Sequence, residues 1–229
     1  MYELHIANKN YSSWSLRPWV LMTTLGIPFT ERQWVFAAQG NYQRFRSFSP
    51  NGLVPCLHDG GVVVWESLAI MEYLAERHHG VWPRDPVSRA WARCAAAEMH
   101  GNFSALRNIC SMNCGVRVTL RDHGPGLPAE VRRLDELWRE GLQRFGGPFL
   151  TGAHFSAVDA FFAPVAFRTQ TYALPFGATA LAYVGRLLAL PAMQRWYQDG
   201  VAEIWREPAH EQEIRAAGTV TADYRAVGN

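Results

Sequence analysis

Lysine is almost missing from this 229-residue chain: Lys9 is the only one, against 21 arginines. There is no Gly-x-x-x-x-Gly-Lys-Ser/Thr loop, which excludes a P-loop nucleotide enzyme. A Schiff-base nucleophile would have to be Lys9, and its Asn-Lys-Asn setting has nothing apolar to depress its pKa. Polybasic tracts are missing as well. With 20 acidic residues against 22 basic ones the net charge is only +2, so electrostatics nominate neither a nucleic acid nor an anionic membrane as partner. No apolar run reaches the roughly 18 residues of a transmembrane helix. The start, MYELHIANKN, lacks the basic and apolar regions of a signal peptide. Cysteines are few (Cys56, Cys94, Cys110 and Cys114) and form no C-x-x-C. Reduced thiols in a cytoplasmic compartment are therefore expected rather than a disulfide scaffold. Cys110 and Cys114 would stand one helical turn apart, but zinc would need two further ligands and none is identified, so no metal site is expected. Repeats and low-complexity tracts are absent.

What is present describes a globular protein: 48% hydrophobic and 18% charged residues, enough to bury a large core at this length. The nine tryptophans suit either a core or an aromatic pocket. The first 80 residues alternate between strand and helix signals. Tyr2 to Ala7 alternates as a strand, Asn8 to Ser13 is a polar loop, and Ser15 to Leu25 has helical spacing stopped by Gly26. Pro18 then falls in the first helical turn, where a missing N–H costs least. Phe29 to Phe36 is a second strand. Val54 to His58 and Val62 to Trp65 form a hairpin around Asp59-Gly60-Gly61, and Glu66 to His78 is a helix. Residues 81–87, with two prolines, read as a linker. Beyond Val87 no strand alternation stands out, and helices are expected at about Ser88 to Ile109, Ala129 to Phe145, Ser156 to Thr171, Thr179 to Leu188 and Pro191 to Ala202. The expected organisation is an α/β domain over residues 1–80 and an all-helical domain over 88–229.

Three segments could carry chemistry. Tyr11-Ser12-Ser13-Trp14-Ser15-Leu16-Arg17 places hydroxyls at the start of a helix, either as a simple N-cap or as a site for an anion such as a thiolate. Gly52-Leu53-Val54-Pro55 opens a strand, where proline forfeits no ladder bond; a cis Val54–Pro55 bond would free the valine backbone to pair with a peptide-like ligand. Glu66-Ser67 opens a helix, either capping it or binding a ligand through Ser67 and backbone amides.

Taken jointly, the order of serine loop, Val-Pro strand, Glu-Ser helix, proline linker and helical domain resembles the cytosolic glutathione transferases over nearly the whole chain. The Ser12-Ser13-Trp14-Ser15-Leu16-Arg17 motif is similar to the S-S-x-S-x-R signature of the zeta class. Ser156-Ala157-Val158-Asp159, after a turn at Gly152, resembles the family's buried helix-capping box. The resemblance implies a thioredoxin-like first domain with Pro55 as its cis-proline, followed by an all-helical domain. It also implies glutathione as co-substrate, a small-molecule electrophile bound mainly against the second domain, and a homodimer.

By the same resemblance, Ser12 donates a hydrogen bond to the glutathione sulfur, with Ser13 as the close alternative and Tyr11 as a lesser one, because an adjacent tyrosine does this in other classes. Favouring thiolate over thiol supplies more nucleophile. Val54 pairs with the cysteinyl unit, Glu66 and Ser67 hold the γ-glutamyl end, Gln39 reaches the glycyl end, Asn108 lines the site, and Arg17 supports the serine loop. Lys9, next to that loop, would add positive potential. His100 reads as a structural residue near the cleft. Two features depart from the maleylacetoacetate-isomerising zeta pattern: Trp14 stands where those proteins have cysteine, and their carboxylate-binding arginine has no match, its place falling near Thr171. Arg168, one helical turn earlier, is the candidate substitute. A general glutathione transferase acting on small hydrophobic electrophiles is therefore the expected activity. A glutathione-dependent isomerase or peroxidase and a non-catalytic binding module are the alternatives.

Overall fold

A computed structural model describes residues 1–226, so the last three residues of the expected second domain lie outside the described residues. The chain opens with β1 (Tyr2–Ala7), α1 (Ser13–Thr24), β2 (Phe29–Trp34), α2 (Tyr42–Phe45), β3 (Cys56–Asp59), β4 (Val62–Trp65) and α3 (Ser67–Ala75). The strands form one mixed sheet in the order β2-β1-β3-β4. β1 and β2 run parallel, as a helical crossover requires, while β3 and β4 are antiparallel to their neighbours. The Val54–Pro55 peptide bond is cis. α1 starts at Ser13, earlier than its spacing suggested, so Pro18 falls in the second turn and removes the donor that the Trp14 carbonyl would otherwise meet.

The second part contains α4 (Pro86–Gly101), α5 (Ser104–Ile109), β5 (Val116–Leu120), α6 (Gly126–Phe145), α7 (Ala157–Tyr172), α8 (Ala178–Leu188), α9 (Pro191–Ala202), α10 (Pro208–Ala217) and β6 (Gly218–Asp223). It is helical, with three departures from the sequence reading. α4 begins at Pro86, inside the expected linker, because Asp85 caps it by accepting from the Ser88 amide at 2.8 Å. The long helix expected up to Ile109 breaks at Phe103, which adopts a left-handed conformation (φ 59°) with its ring buried. β5 and β6 form an antiparallel two-stranded ribbon, where no strand was expected. Val116 and Val118 do alternate with Arg117 and Thr119, but the partner strand comes about a hundred residues later, and so short a run is not legible without it.

α7 is the central post. All its residues except Gln170 are buried, as befits a helix that is apolar around most of its circumference. The expected capping box is formed: Asp159 accepts from the Ser156 amide at 3.0 Å. Its carboxylate also takes the Leu150 amide at 3.0 Å and the Tyr183 hydroxyl at 2.9 Å. Replacing Asp159 with alanine leaves these buried donors unpaired, so denaturant unfolding is expected to show a loss of about 3 kcal/mol or more. An unchanged midpoint would contradict this role.

The segment after α3 is not a free tether. Val81 and Trp82 are buried in a core cluster that runs from β1 to α10, and the Val81 carbonyl accepts from the Ala157 amide at 2.8 Å. No helix among the described residues is long and apolar enough to cross a membrane.

Candidate active site

The turn after β1 is locked to the helical part before it reaches α1. Glu203, buried at the end of α9, accepts from the Lys9 amide at 2.7 Å, the Asn10 amide at 3.3 Å and the Gln33 side chain at 2.5 Å. The Lys9 carbonyl takes the Trp196 indole N–H at 2.8 Å, and the Asn10 side chain accepts from the Cys114 amide at 3.0 Å. Lys9 itself corrects the sequence reading. Its ammonium is buried between Glu31 at 2.9 Å and Asp199 at 2.7 Å, over the Trp19 ring. Its charge is therefore spent on tying the two parts of the chain together rather than on the serine loop. These bonds fix where residues 11–13 stand.

Those residues line a cleft of about 680 Å³ between the two parts, a volume ordinary for a small-molecule site. Ser12 is at the N-cap position of α1, yet its side chain makes no capping bond, and no acidic residue occupies the first turn. The Ser13 amide donates to the Tyr11 carbonyl at 2.9 Å, and with no side-chain cap the positive end of the α1 dipole is left without an anionic partner in the first turn. The Ser12 hydroxyl donates to the Ser15 hydroxyl at 2.7 Å, and the same Ser15 oxygen accepts from the Ala7 amide at 3.2 Å. Ser13 accepts from the Arg168 guanidinium at 3.4 Å. The Tyr11 hydroxyl donates to Glu211 at 2.7 Å, and burial, then Glu211, pushes the phenol up. That removes Tyr11 as a free hydroxyl toward a thiol.

Across the cleft lie Val54, Pro55 and Glu66. Val54 stands outside the sheet ladder, which begins at Cys56. Glu66 caps α3 with φ 68°, a left-handed value that costs a non-glycine residue about 1 to 3 kcal/mol. Its carboxylate accepts from Asn51 at 3.1 Å. Asn108 also lines the cleft, whereas Gln39, Arg17 and Ser67 do not. Gln39 is exposed in the turn after β2. Ser67 is fully buried with its hydroxyl 3.3 Å from the Arg17 guanidinium. Arg17 lies under the cleft floor, stacked on the Trp14 ring at 3.9 Å, so it backs the serine loop from behind. His100 meets Trp14 edge-on at 5.2 Å and is not among the lining residues.

Several lining residues were not assigned from the sequence. Arg107, Ser111 and Met112 come from α5 and the loop after it, and His210 and Glu213 come from α10. α10 has a readable start signal, since Glu207 precedes Pro208 at the first helical position. Arg168 does reach the cleft. Thr171, by contrast, is buried and donates to the Asn113 carbonyl at 2.6 Å. The guanidinium groups of Arg17, Arg107 and Arg168 gather here, and the bonds they make go to carbonyls and hydroxyls: Arg107 to Met99 O at 3.0 Å, and Arg168 to Cys110 O at 2.7 Å. Burial, then mutual repulsion, lowers Arg17; burial lowers Arg168 to about 10. Arg168 stays charged at neutral pH, so the cleft wall beside Ser13 is electropositive. Burial pushes the Cys110 thiol up to about 12, which leaves it inert. Among the described residues no group of three or more His, Cys, Asp or Glu could hold a metal ion.

Comparisons with known proteins agree on one family. The glutathione S-transferase N-terminal domain model matches residues 11–77, and the C-terminal domain model matches residues 121–199. A zeta-class glutathione S-transferase of Euphorbia esula is 29% identical over 123 residues, which is 52% of this chain and 55% of that protein. A maleylacetoacetate isomerase of Rattus norvegicus is 24% identical over 177 residues, covering 76% of this chain and 78% of that protein. Among solved structures, a glutathione transferase homolog from Burkholderia with bound glutathione is similar with a TM-score of 0.67 and 22% identity, over 87% of this chain and 97% of that one. A theta-class enzyme from Xanthomonas axonopodis pv. citri with glutathione bound has a TM-score of 0.62 and 26% identity, over 86% and 96%.

Proposed function

The chain belongs to the glutathione transferase superfamily, close to its zeta class, and from this premise we propose that it binds glutathione in the cleft and presents the thiol as thiolate to a small electrophile. The carrying observation is the uncapped N-terminus of α1 with the Ser12 hydroxyl beside it. A thiolate is a stronger acceptor than the neutral Ser15 hydroxyl, so on binding the Ser12 proton turns from Ser15 to the sulfur. That bond and the helix dipole both favour the anion over a thiol of pKa about 8.5. Val54 pairs through its backbone with the cysteinyl unit. Glu66 and the backbone of Ser67 hold the γ-glutamyl end, with Asn51 bracing Glu66. Arg17 acts through Trp14 and the loop, and Gln39 reaches the glycyl end only if the turn after β2 folds inward. Asn108 faces the electrophile. In this reading residues 1–80 bind glutathione, 81–87 connect, and 88–229 supply the electrophile wall. The protein works as a homodimer in a thiol-reducing cytoplasm.

The electropositive wall favours a more specific version: the electrophile carries a carboxylate or comparable anion that pairs with Arg168. A zeta-like isomerase, whose substrate is a dicarboxylate, falls within this version, with Trp14 in the place of the cysteine found in such enzymes. Retention on immobilised glutathione and acceleration of thiol attack on a panel of neutral and anionic electrophiles are both expected. A protein that neither binds glutathione nor accelerates attack on any member of the panel is not an enzyme of this kind.

A further inference from the structure

α10 brings to the cleft a histidine that the roles above leave unused. His210 lies flat between two rings, 5.0 Å from Tyr11 and 5.3 Å from Phe36 by ring centroid, at 25° to each. One carboxylate oxygen of Glu207 accepts both the His210 backbone N–H and its ring Nδ1, each at 2.7 Å. Burial pushes the Glu207 carboxyl up, but the hydrogen bonds from His210 and Ala209 outweigh it and hold it below its ordinary value. Glu207 therefore remains ionised and accepts from Nδ1, and Nε2 is the ring nitrogen that Glu207 does not hold. The neighbouring phenol of Tyr11 cannot take this part, because it is bonded to Glu211, which Arg225 also holds.

We propose that His210, positioned by Glu207, delivers the proton from Nε2 when the thiol adds to an electrophile whose carbonyl oxygen becomes an enolate, as an α,β-unsaturated carbonyl compound does. The proposal rests on the glutathione reading above. The thiolate forms a bond from sulfur to the β-carbon, and the π pair of the C=C bond moves onto the carbonyl oxygen as an enolate. His210 gives its Nε2 proton to that enolate and becomes neutral. It regains from solvent the proton that the thiol released on ionising, so the net change is addition of S–H across C=C. Displacement of a halide needs no such proton, because the halide leaves with its electron pair. The two reaction classes should therefore respond differently to loss of the imidazole.

The test compares, in one sample, the rate of glutathione addition to an enone with the rate of halide displacement from a nitroaryl chloride. Loss of folded protein cancels in that ratio. His210→Gln is expected to lower the ratio of addition to displacement on the order of 100-fold. Glu207→Gln is expected to lower it in the same direction by about tenfold, through kcat for addition, with the KM for glutathione moving less than about twofold. A ratio unchanged in both variants overturns the proposal, as does a wild type that displaces halide but adds to no enone. A protein that catalyses neither reaction and does not bind glutathione overturns the underlying reading instead.

Discussion

Ser12→Ala is expected to lower kcat/KM for glutathione conjugation on the order of 100- to 1,000-fold, the scale seen when one donor to a developing or reacting anion is removed. Ser12 is almost wholly buried at the cleft edge, and its hydroxyl proton is held by Ser15 rather than by the helix backbone. The local fold survives the change, because Ser15 keeps the Ala7 amide as a partner and no capping bond is lost. The loss therefore falls on the thiol. Ser13→Ala is expected to cost about tenfold, since its oxygen faces Arg168 and serves the electrophile side. Steady-state rates with glutathione concentration varied separate the two variants. If Ser13→Ala alone abolishes turnover, the thiol donor is Ser13 and the register of the loop is off by one residue.

Arg168→Met is expected to lower kcat/KM for a carboxylate-bearing electrophile by roughly 10- to 100-fold, as removal of one charged hydrogen-bonding partner does. A neutral electrophile of similar size should change by no more than about threefold. Arg168 also donates to the Cys110 carbonyl at 2.7 Å, so the same change orphans a buried acceptor and should cost about 1 to 3 kcal/mol in stability. Arg168→Lys separates the two effects: it keeps the charge but loses the planar fork, so activity on the anionic electrophile should recover only in part. Burial leaves the guanidinium pKa near 10, still charged at neutral pH, so the preference for anions should persist through that range. Equal losses on charged and neutral electrophiles would remove Arg168 from substrate recognition.

What the sequence made legible was local. The serine loop, the Val-Pro turn and the Glu-Ser helix start are each contiguous, so the residues themselves set which backbone groups are freed, and Tyr11, Ser12, Ser13, Val54, Pro55 and Glu66 all reach one cleft. The capping box of Ser156 and Asp159 was readable for the same reason. Side-chain direction was not. Arg17 shares the motif with Ser12 but points under Trp14, because five residues along a helix turn a side chain well away from the first. Lys9 adjoins the loop in sequence, yet its ammonium is drawn to acids on β2 and α9. Arg107, His210 and Glu213 become neighbours only when α5 and α10 pack across the serine loop, and the β5–β6 ribbon likewise depends on a pairing far apart in sequence. Such non-local convergence leaves no periodic signal in either segment alone.

The central claim, that the uncapped start of α1 and Ser12 hold glutathione as thiolate, is tested most directly by titrating the ultraviolet absorbance of the thiolate of enzyme-bound glutathione against pH. The bound thiol is expected to ionise at about pH 7 or below, against about 8.5 in water, and to return toward the free value in Ser12→Ala. A bound thiol that titrates as it does in water, or one that ionises equally low without Ser12, would contradict it.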